Sequence, residues 1–238
     1  MAKDAIVGLI VPSADDRIPP DGAVMYPDAK FIAKGVGVRA LTPEGYDPAM
    51  AAIVPAAEAL AKLGVDAVCV MGTSLTFYKG AAVHRKLLED MGRVTGLPVS
   101  TMSQAILDGL RAVGAKRIGV ATAYNDVVND RLKAFLTDEG FDVGAIEGFG
   151  ISEFGGPAGR KTEAEIIELG GRVLKQAGKA DALLVSCGGL RTLGVAAPIE
   201  NKHGIPVVSS TPAALRSAVR LVGETGQVVG CGRYLGMA

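Results

Sequence analysis

Apolar residues recur in short runs along the chain, separated by longer stretches with the spacing of amphipathic helices. Consecutive apolar positions predict strands near residues 5–11, 66–71, 117–122, 181–186 and 206–209. Mixed polarity at helical spacing predicts helices near residues 48–63, 78–94, 103–113, 126–139, 162–177 and 211–221. Strands that alternate with helices are typical of parallel sheets, and uninterrupted apolar runs indicate strands covered on both faces.

The two halves of the chain resemble each other. Residues 66–75 (DAVCVMGTSL) align with residues 181–190 (DALLVSCGGL), and residues 96–99 (GLPV) align with residues 204–207 (GIPV). A repeat of half the chain is much longer than the roughly 20 to 50 residues of a solenoid unit. The pattern therefore predicts an α/β protein of two similar lobes, related by a pseudo-twofold axis, each a small parallel sheet flanked by helices.

The repeat also suggests how the chain divides. We expect the first lobe to comprise residues 1–105 together with residues 211–238, and the second lobe to comprise residues 106–210. Ligands of open parallel sheets bind beyond the carboxyl ends of the strands. We therefore expect the active site in the cleft between the lobes.

Composition narrows the range of functions. The 238 residues are 49% hydrophobic and carry 25 basic and 25 acidic side chains, which gives no support for nucleic-acid binding. No stretch approaches the roughly 18 apolar residues of a membrane helix, and the first residues show no signal-peptide pattern. We expect a cytoplasmic protein, with a monomer favoured, that has no nucleic-acid or membrane partner.

Cysteines and histidines are few and widely spaced. Cys69, Cys187 and Cys231 do not form a disulfide or CxxC pattern, and His84 and His203 lack the spacing of metal ligands. We therefore expect no metal site. Cys69 lies among valines and is expected in the core, whereas His84 is expected on the exposed face of a helix.

Polar residues and glycines follow four of the predicted strands, at the expected cleft. They are Pro12, Ser13, Gly72, Thr73, Ser74, Tyr124, Cys187, Gly188 and Gly189. Thr73 and Ser74 offer hydroxyls and amides at a strand-to-helix turn, an arrangement that favours an anion. Tyr124 adds a phenolic donor, and the glycines permit close approach of the backbone. This set suits a carboxylate whose negative charge grows as it becomes an enediolate.

Cys187 is the candidate proton carrier, because no histidine or carboxylate appears in the matching loops. Gly72 occupies the equivalent place in the first half and supplies no side chain. The site therefore predicts protonation from one face only. A turn before a helix is expected to lower the pKa of the thiol, and a bound anion is expected to raise it again.

Five segments of the chain match a known pattern: residues 42–47 (TPEGYD), 71–75 (MGTSL), 121–124 (ATAY), 186–190 (SCGGL) and 204–210 (GIPVVSS). They resemble the aspartate/glutamate racemase superfamily and, within it, the bacterial arylmalonate decarboxylases. Racemases and maleate isomerases of this superfamily carry cysteine in both halves, whereas the decarboxylases carry glycine in the first half, as Gly72 does here. The resemblance extends along nearly the whole chain, but its alignment needs a gap at residues 149–159 (FGISEFGGPAG), whose glycines would permit the hinges of a lid.

The resemblance implies decarboxylation, without a cofactor, of an α-aryl or similarly disubstituted malonate to a chiral monocarboxylic acid. One carboxylate would bind Thr73, Ser74, Tyr124 and the amides of Cys187 and Gly188. The other would lie in an apolar pocket. That pocket would include Pro12, Val38, Leu41, Tyr46, Gly72 and Gly189. Cys187 would protonate the enediolate that remains.

Two other functions stay open at this point. A racemase or cis-trans isomerase of a small carboxylic acid would need another group in place of the missing cysteine. A two-lobed protein that binds a small molecule without chemistry is compatible with the same fold. Loss of turnover on replacing Cys187 would separate the decarboxylase from the binding protein.

Overall fold

The computed structural model describes residues 5–238 and contains two four-stranded parallel sheets, with strand orders β2-β1-β3-β4 and β6-β5-β7-β8. The strands are β1 (Ile6–Val11), β2 (Lys30–Gly35), β3 (Ala67–Val70), β4 (Val99–Thr101), β5 (Arg117–Tyr124), β6 (Asp142–Ile151), β7 (Ala182–Ser186) and β8 (Val207–Ser209). The helices are α1 (Pro20–Met25), α2 (Pro43–Lys62), α3 (Thr73–Phe77), α4 (Ala81–Thr95), α5 (Met102–Ala112), α6 (Asp126–Asp138), α7 (Gly156–Gly159), α8 (Glu163–Ala177), α9 (Ala196–His203), α10 (Ser210–Arg220) and α11 (Arg233–Gly236).

The two sheets have the same topology, which confirms the predicted fold of two similar α/β lobes. In each sheet the chain first pairs its two opening strands and then crosses back, so the order reverses between β1 and β3 and again between β5 and β7. Such a reversal opens a crevice at the carboxyl ends of the strands. The fold therefore places one crevice in each lobe.

The interior strands are buried, as their apolar sequences predict. All four residues of β3 and all five residues of β7 are buried, because helices cover both faces of each sheet. Strands β2, β4 and β6 were not predicted. β4 has three residues, and β2 and β6 lie at sheet edges, where partly exposed residues and glycines break the apolar run.

Helices α5 and α10 pack against each other, and each contacts strands of both sheets. They therefore link the two lobes. Assignment of residues 211–238 to the first lobe remains a prediction. Among residues 5–238, no helix combines the length and apolar character needed to cross a membrane.

Candidate active site

One cavity of about 270 Å³ lies at the carboxyl ends of the four interior strands β1, β3, β5 and β7. The structure brings every predicted site residue to its wall. These are Pro12, Val38, Leu41, Tyr46, Gly72, Thr73, Ser74, Tyr124, Cys187, Gly188 and Gly189. Each lobe contributes a loop that follows its third strand, so the duplicated halves of the chain meet in this cavity.

The first-lobe loop presents hydroxyl groups. Gly72 is the extended N-cap of α3, which begins at Thr73. The Thr73 hydroxyl donates to Sδ of Met102 at 2.8 Å. A thioether is a weak acceptor, so this hydroxyl can turn to a stronger acceptor in the cavity at small cost. Ser74 lies beside the hydroxyl of Tyr46, whose oxygen is buried.

Tyr124 ends β5 and brings a phenol to the same region. Its ring packs edge-on against Phe77, with centroids 5.9 Å apart, and its hydroxyl lies beside the side chains of Ser186 and Thr73. Burial raises the pKa of Tyr124 well above its ordinary value, and the nearby Cys187 adds to this rise. The phenol therefore stays protonated at neutral pH and remains a hydrogen-bond donor.

Cys187 follows β7 and is the one non-glycine residue with positive φ, at 147°, among residues 5–238. Backbone conformations of this kind are costly for residues with a side chain and concentrate at functional sites. The Gly189 amide donates to its sulfur at 3.4 Å. The local backbone therefore holds the thiol in a fixed place beside the cavity.

The thiol does not lie at a helix N-terminus, contrary to the expectation from sequence. The residues after Cys187 form a turn, and α9 begins only at Ala196. Burial raises the pKa of the Cys187 thiol above its ordinary value, although the Gly189 amide and the Tyr124 hydroxyl oppose this rise. The expected lowering of the pKa was therefore wrong. The thiol is protonated at neutral pH, as a proton donor must be.

The amide of Cys187 also differs from its expected role in carboxylate binding. It donates to Oγ of Ser210 at 3.4 Å, and the Ser210 hydroxyl in turn donates to the carbonyl oxygen of Val185 at 3.4 Å. This amide is thus directed at α10. The donors that remain at the cavity come from Thr73, Ser74, Tyr124 and the second-lobe glycines.

The remaining wall is apolar and includes residues that sequence reasoning missed. Ile151 is the last residue of β6, Phe154 and Ala158 come from the glycine-rich segment that follows, and Leu75 comes from α3. This segment matches nothing in the first half, so the repeat gave no signal for it. The rim also carries two charges, Arg17 and Glu153, and the Arg17 guanidinium pairs with Asp15 at 2.8 Å.

His84 lies outside the cavity, and its expected exposure was wrong. It is 1% exposed, and its Nε2 lies 2.7 Å from Oγ1 of Thr101. Burial lowers the pKa of His84 to about 4. Cys69 is fully buried as expected, and burial raises the pKa of its thiol to about 12.

Comparison with known proteins gives one consistent result. A family model described as arylmalonate decarboxylase matches residues 7–235. The arylmalonate decarboxylase of Bordetella bronchiseptica is 46% identical over 222 residues, which are 93% of this chain and 92% of that protein.

Solved structures agree with this result. A liganded variant of arylmalonate decarboxylase, with one glycine replaced by cysteine and one cysteine by serine, superposes with a TM-score of 0.94 at 43% identity. The alignment covers 97% of this chain and 98% of that variant. A maleate isomerase variant from Pseudomonas putida S16, with maleate, has a TM-score of 0.91 at 21% identity, over 98% of both chains. The likeness to the isomerase concerns the fold alone.

Proposed function

Because this chain belongs to the arylmalonate decarboxylase family and is a carboxy-lyase, we propose that it decarboxylates a disubstituted malonate and that Cys187 supplies the proton that replaces the lost carboxylate. The substrate class is an α-aryl malonate, or one with a similar apolar substituent. The proposal rests on one observation. The Cys187 thiol lies beside the Tyr124 hydroxyl, which adjoins Thr73, in a cavity whose other walls are largely apolar.

The retained carboxylate binds at the polar end of the cavity. Hydroxyls of Thr73, Ser74 and Tyr124 and the amide of Gly188 are the donors assigned to it. Negative charge grows on this carboxylate when the carbon–carbon bond breaks, because the electron pair delocalises into it as an enediolate. Donors fixed beforehand around such a charge contribute roughly 3 to 4 kcal/mol each in well-studied hydrolases.

The departing carboxylate and the organic substituents occupy the apolar part of the cavity. Pro12, Val38, Leu41 and Tyr46 line it, with Gly72 and Gly189 close by. A carboxylate that has lost its water and finds few donors is destabilised relative to neutral carbon dioxide. Release of carbon dioxide removes this mismatch, so the apolar wall favours the bond cleavage.

Protonation completes the reaction. The Sγ–H bond of Cys187 breaks and a C–H bond forms at the α-carbon, on the face directed at the second lobe. The resulting thiolate takes a proton from water, which restores the thiol for the next turnover. Gly72 cannot protonate the opposite face, which favours a single enantiomer and decarboxylation over racemisation or isomerisation.

No step of this scheme needs a cofactor, since the apolar wall and the donors supply the driving force. The partners of the protein and the compartment in which it acts are also part of the proposal. Balanced charge supports a protein that acts on a small dicarboxylate without a nucleic-acid or membrane partner. Three free cysteines are compatible with a reducing cytoplasm. We propose that the protein works there as a monomer.

The test is incubation of the purified protein with phenylmalonate and with a methyl-substituted arylmalonate in D₂O. We expect stoichiometric carbon dioxide release, one deuterium at the α-carbon and one enantiomer from the methylated substrate. Cys187→Ala is expected to lower turnover by roughly 10²- to 10⁴-fold, the usual contribution of a positioned acid, while the protein stays folded.

Cys231→Ser is the matched control, because this partly buried thiol is not among the residues that line the cavity. Near-normal turnover by the alanine variant would remove Cys187 from the mechanism. Absence of carbon dioxide release from both substrates would contradict the proposed substrate class.

A further inference from the structure

Two hydroxyl groups brace the loops of the cavity from behind, one in each lobe. Ser103 is the second residue of α5 and donates to the carbonyl oxygen of Thr73 at 3.1 Å. Thr211 is the second residue of α10 and donates to the carbonyl oxygen of Gly188 at 3.2 Å. Both helices follow the last strand of their sheet, and the two carbonyl groups occupy matching positions of the repeat. The two hydrogen bonds are therefore equivalent parts of the duplicated fold.

The second-lobe bond acts on a peptide group that also contacts the thiol. The Gly188 carbonyl and the Gly189 amide belong to one peptide plane, in which C=O and N–H point to opposite sides. Thr211 holds the carbonyl end, and the amide end donates to the sulfur of Cys187 at 3.4 Å. A peptide between two glycines has little intrinsic preference for one orientation. The Thr211 hydroxyl therefore selects the orientation that directs the amide at the sulfur.

We propose that Thr211 is a positioning residue for the proton transfer, and that it acts by holding the Gly188–Gly189 peptide so that the Gly189 amide faces the sulfur of Cys187. The inference rests on the proposed function, in which Cys187 gives its proton to the enediolate and is left as a thiolate. An amide directed at the sulfur stabilises the thiolate more than the thiol. Thr211 thereby makes the thiol a better acid at the moment of transfer.

The matching bond in the first lobe has a different consequence. The hydroxyls of Ser103 and Thr76 both donate to the Thr73 carbonyl, at 3.1 Å each, and the amide in the same peptide plane is that of Ser74. The thiol position is filled by Gly72, so no sulfur can accept from the Ser74 amide. This amide is left for the substrate carboxylate. Ser103 is accordingly expected to influence substrate binding rather than the acidity of Cys187.

The test measures Cys187 directly, without substrate. Iodoacetamide reacts with the thiolate, and mass spectrometry of the Cys187 peptide separates its reaction from that of Cys69 and Cys231. Thr211→Val removes the hydroxyl and keeps the side-chain shape. We expect the pH midpoint of alkylation to rise by about one unit, and alkylation below that midpoint to slow about tenfold. We also expect kcat to fall about tenfold, with KM changed less than about twofold.

Three further variants make the result specific. Thr211→Ser keeps a hydroxyl and is expected to restore both midpoint and kcat. Ser209→Ala is the matched control, because the Ser209 hydroxyl is buried two residues away and makes no hydrogen bond within residues 5–238. It should leave both quantities unchanged. Ser103→Ala is expected to raise KM severalfold without moving the midpoint.

An unchanged midpoint in folded Thr211→Val would overturn the proposal, as would an equal shift in Ser209→Ala or in Ser103→Ala. A shifted midpoint with unchanged kcat would overturn the link to proton transfer. Should the valine variant not fold, Thr211→Ala tests the same hydrogen bond. Retained turnover in Cys187→Ala would refute the proposed function instead, and the alkylation midpoint would still report on the hydrogen bond from Gly189.

Discussion

The two loops that close the cavity have the same place in the fold but opposite chemistry. In the first lobe, Gly72 is followed by the hydroxyl residues Thr73 and Ser74. In the second lobe, Cys187 is followed by two glycines. Hydroxyl donors thus stand where the other lobe has bare backbone, and a thiol stands where the other lobe has none. Under the proposed function the first lobe supplies hydroxyl donors for the anion, Tyr124 of the second lobe adds another, and only the second lobe supplies the proton donor.

Backbone conformation differs in the same pair of positions. Gly72 has φ of −144°, an extended value that any residue adopts, whereas Cys187 has φ of 147°. The residue with a side chain therefore occupies the more strained backbone. A side chain at position 72 would meet no backbone strain. Its Cβ would lie 3.0 Å from Cβ of Leu75, so α3 would have to shift by a few tenths of an ångström.

The largest effect is expected from exchanging the residues at positions 72 and 187. Gly72→Cys combined with Cys187→Ser should move the proton donor to the first lobe and invert the handedness of the product. We expect a loss of turnover of about 10²-fold or more, because the new thiol is crowded by Leu75. Chiral chromatography of the monoacid from a methyl-substituted arylmalonate measures the outcome.

The single variants serve as controls for this exchange. Gly72→Cys alone should give a product of mixed handedness, since both faces then meet a thiol. Cys187→Ser alone should be nearly inactive, because a serine hydroxyl is a far weaker acid. An unchanged enantiomer from the double variant would contradict the assignment of one face to each lobe.

A smaller loss of activity is expected on removing the Tyr124 hydroxyl, which the second lobe contributes beside the hydroxyls of the first lobe. Tyr124→Phe removes one hydroxyl beside Thr73 and should lower kcat about a hundredfold, the usual cost of one donor to a developing oxyanion. The phenyl ring keeps its edge-on contact with Phe77, so stability should change little.

Tyr78→Phe is the matched control for this change. Tyr78 is a buried tyrosine that packs on Tyr46 at a centroid distance of 4.5 Å and does not line the cavity. Turnover by the Tyr78→Phe variant should be normal. Equal losses in the two variants would show that the Tyr124 hydroxyl has no special role.

Two properties made parts of the fold and of the site predictable from sequence: burial of strands on both faces and the internal repeat. Interior strands such as β3 are covered on both faces, so every residue is apolar and the run is visible without a structure. Edge strand β6 is only partly buried and contains several glycines, so its pattern merges with that of a loop. The loops of the cavity were found because the repeat aligned Gly72 with Cys187. The wall around Phe154 has no counterpart in the first half and could not be found in this way.

The orientation of individual side chains and backbone amides was the feature least predictable from sequence. The Cys187 amide faces Ser210, a residue 23 positions away, and only the packing of α10 brings the two together. His84 has charged sequence neighbours on α4, yet it lies on the inner face, where Phe135 packs edge-on against its ring with centroids 5.4 Å apart. Tertiary contacts of this kind leave no trace in local periodicity.

The buried imidazole gives the prediction with the smallest effect on activity, and it again contrasts the lobes. Thr101, the N-cap of α5, accepts from the Gln104 amide and lies 2.7 Å from Nε2 of His84. Ser209 is the matching N-cap of α10. Its hydroxyl makes no hydrogen bond within residues 5–238, since Pro212 has no amide hydrogen to donate. The N-cap of α5 therefore has a titratable partner in His84, whereas the N-cap hydroxyl of α10 has no hydrogen-bond partner among residues 5–238.

At acid pH, the buried His84 should lower the free energy of unfolding of the protein. Burial lowers the pKa of His84 to about 4, whereas an unfolded histidine titrates near 6.5. Between pH 6.5 and 4, His84 binds a proton in the unfolded chain but stays neutral in the folded protein. The stability present above pH 6.5 is therefore lost as the pH falls towards 4. The shift corresponds to about 3 kcal/mol of unfolding free energy. Urea titrations at several pH values measure it.

His84→Gln removes the titration while keeping a polar partner for Thr101, so its stability should fall less between pH 6.5 and 4 than that of the native chain. Turnover at neutral pH should be unaffected, because His84 does not line the cavity. His203→Gln changes an exposed histidine and should retain the full acid loss. An identical pH dependence in the His84 variant would mean that acid acts elsewhere, and that the asymmetry between the two N-caps has no consequence for stability.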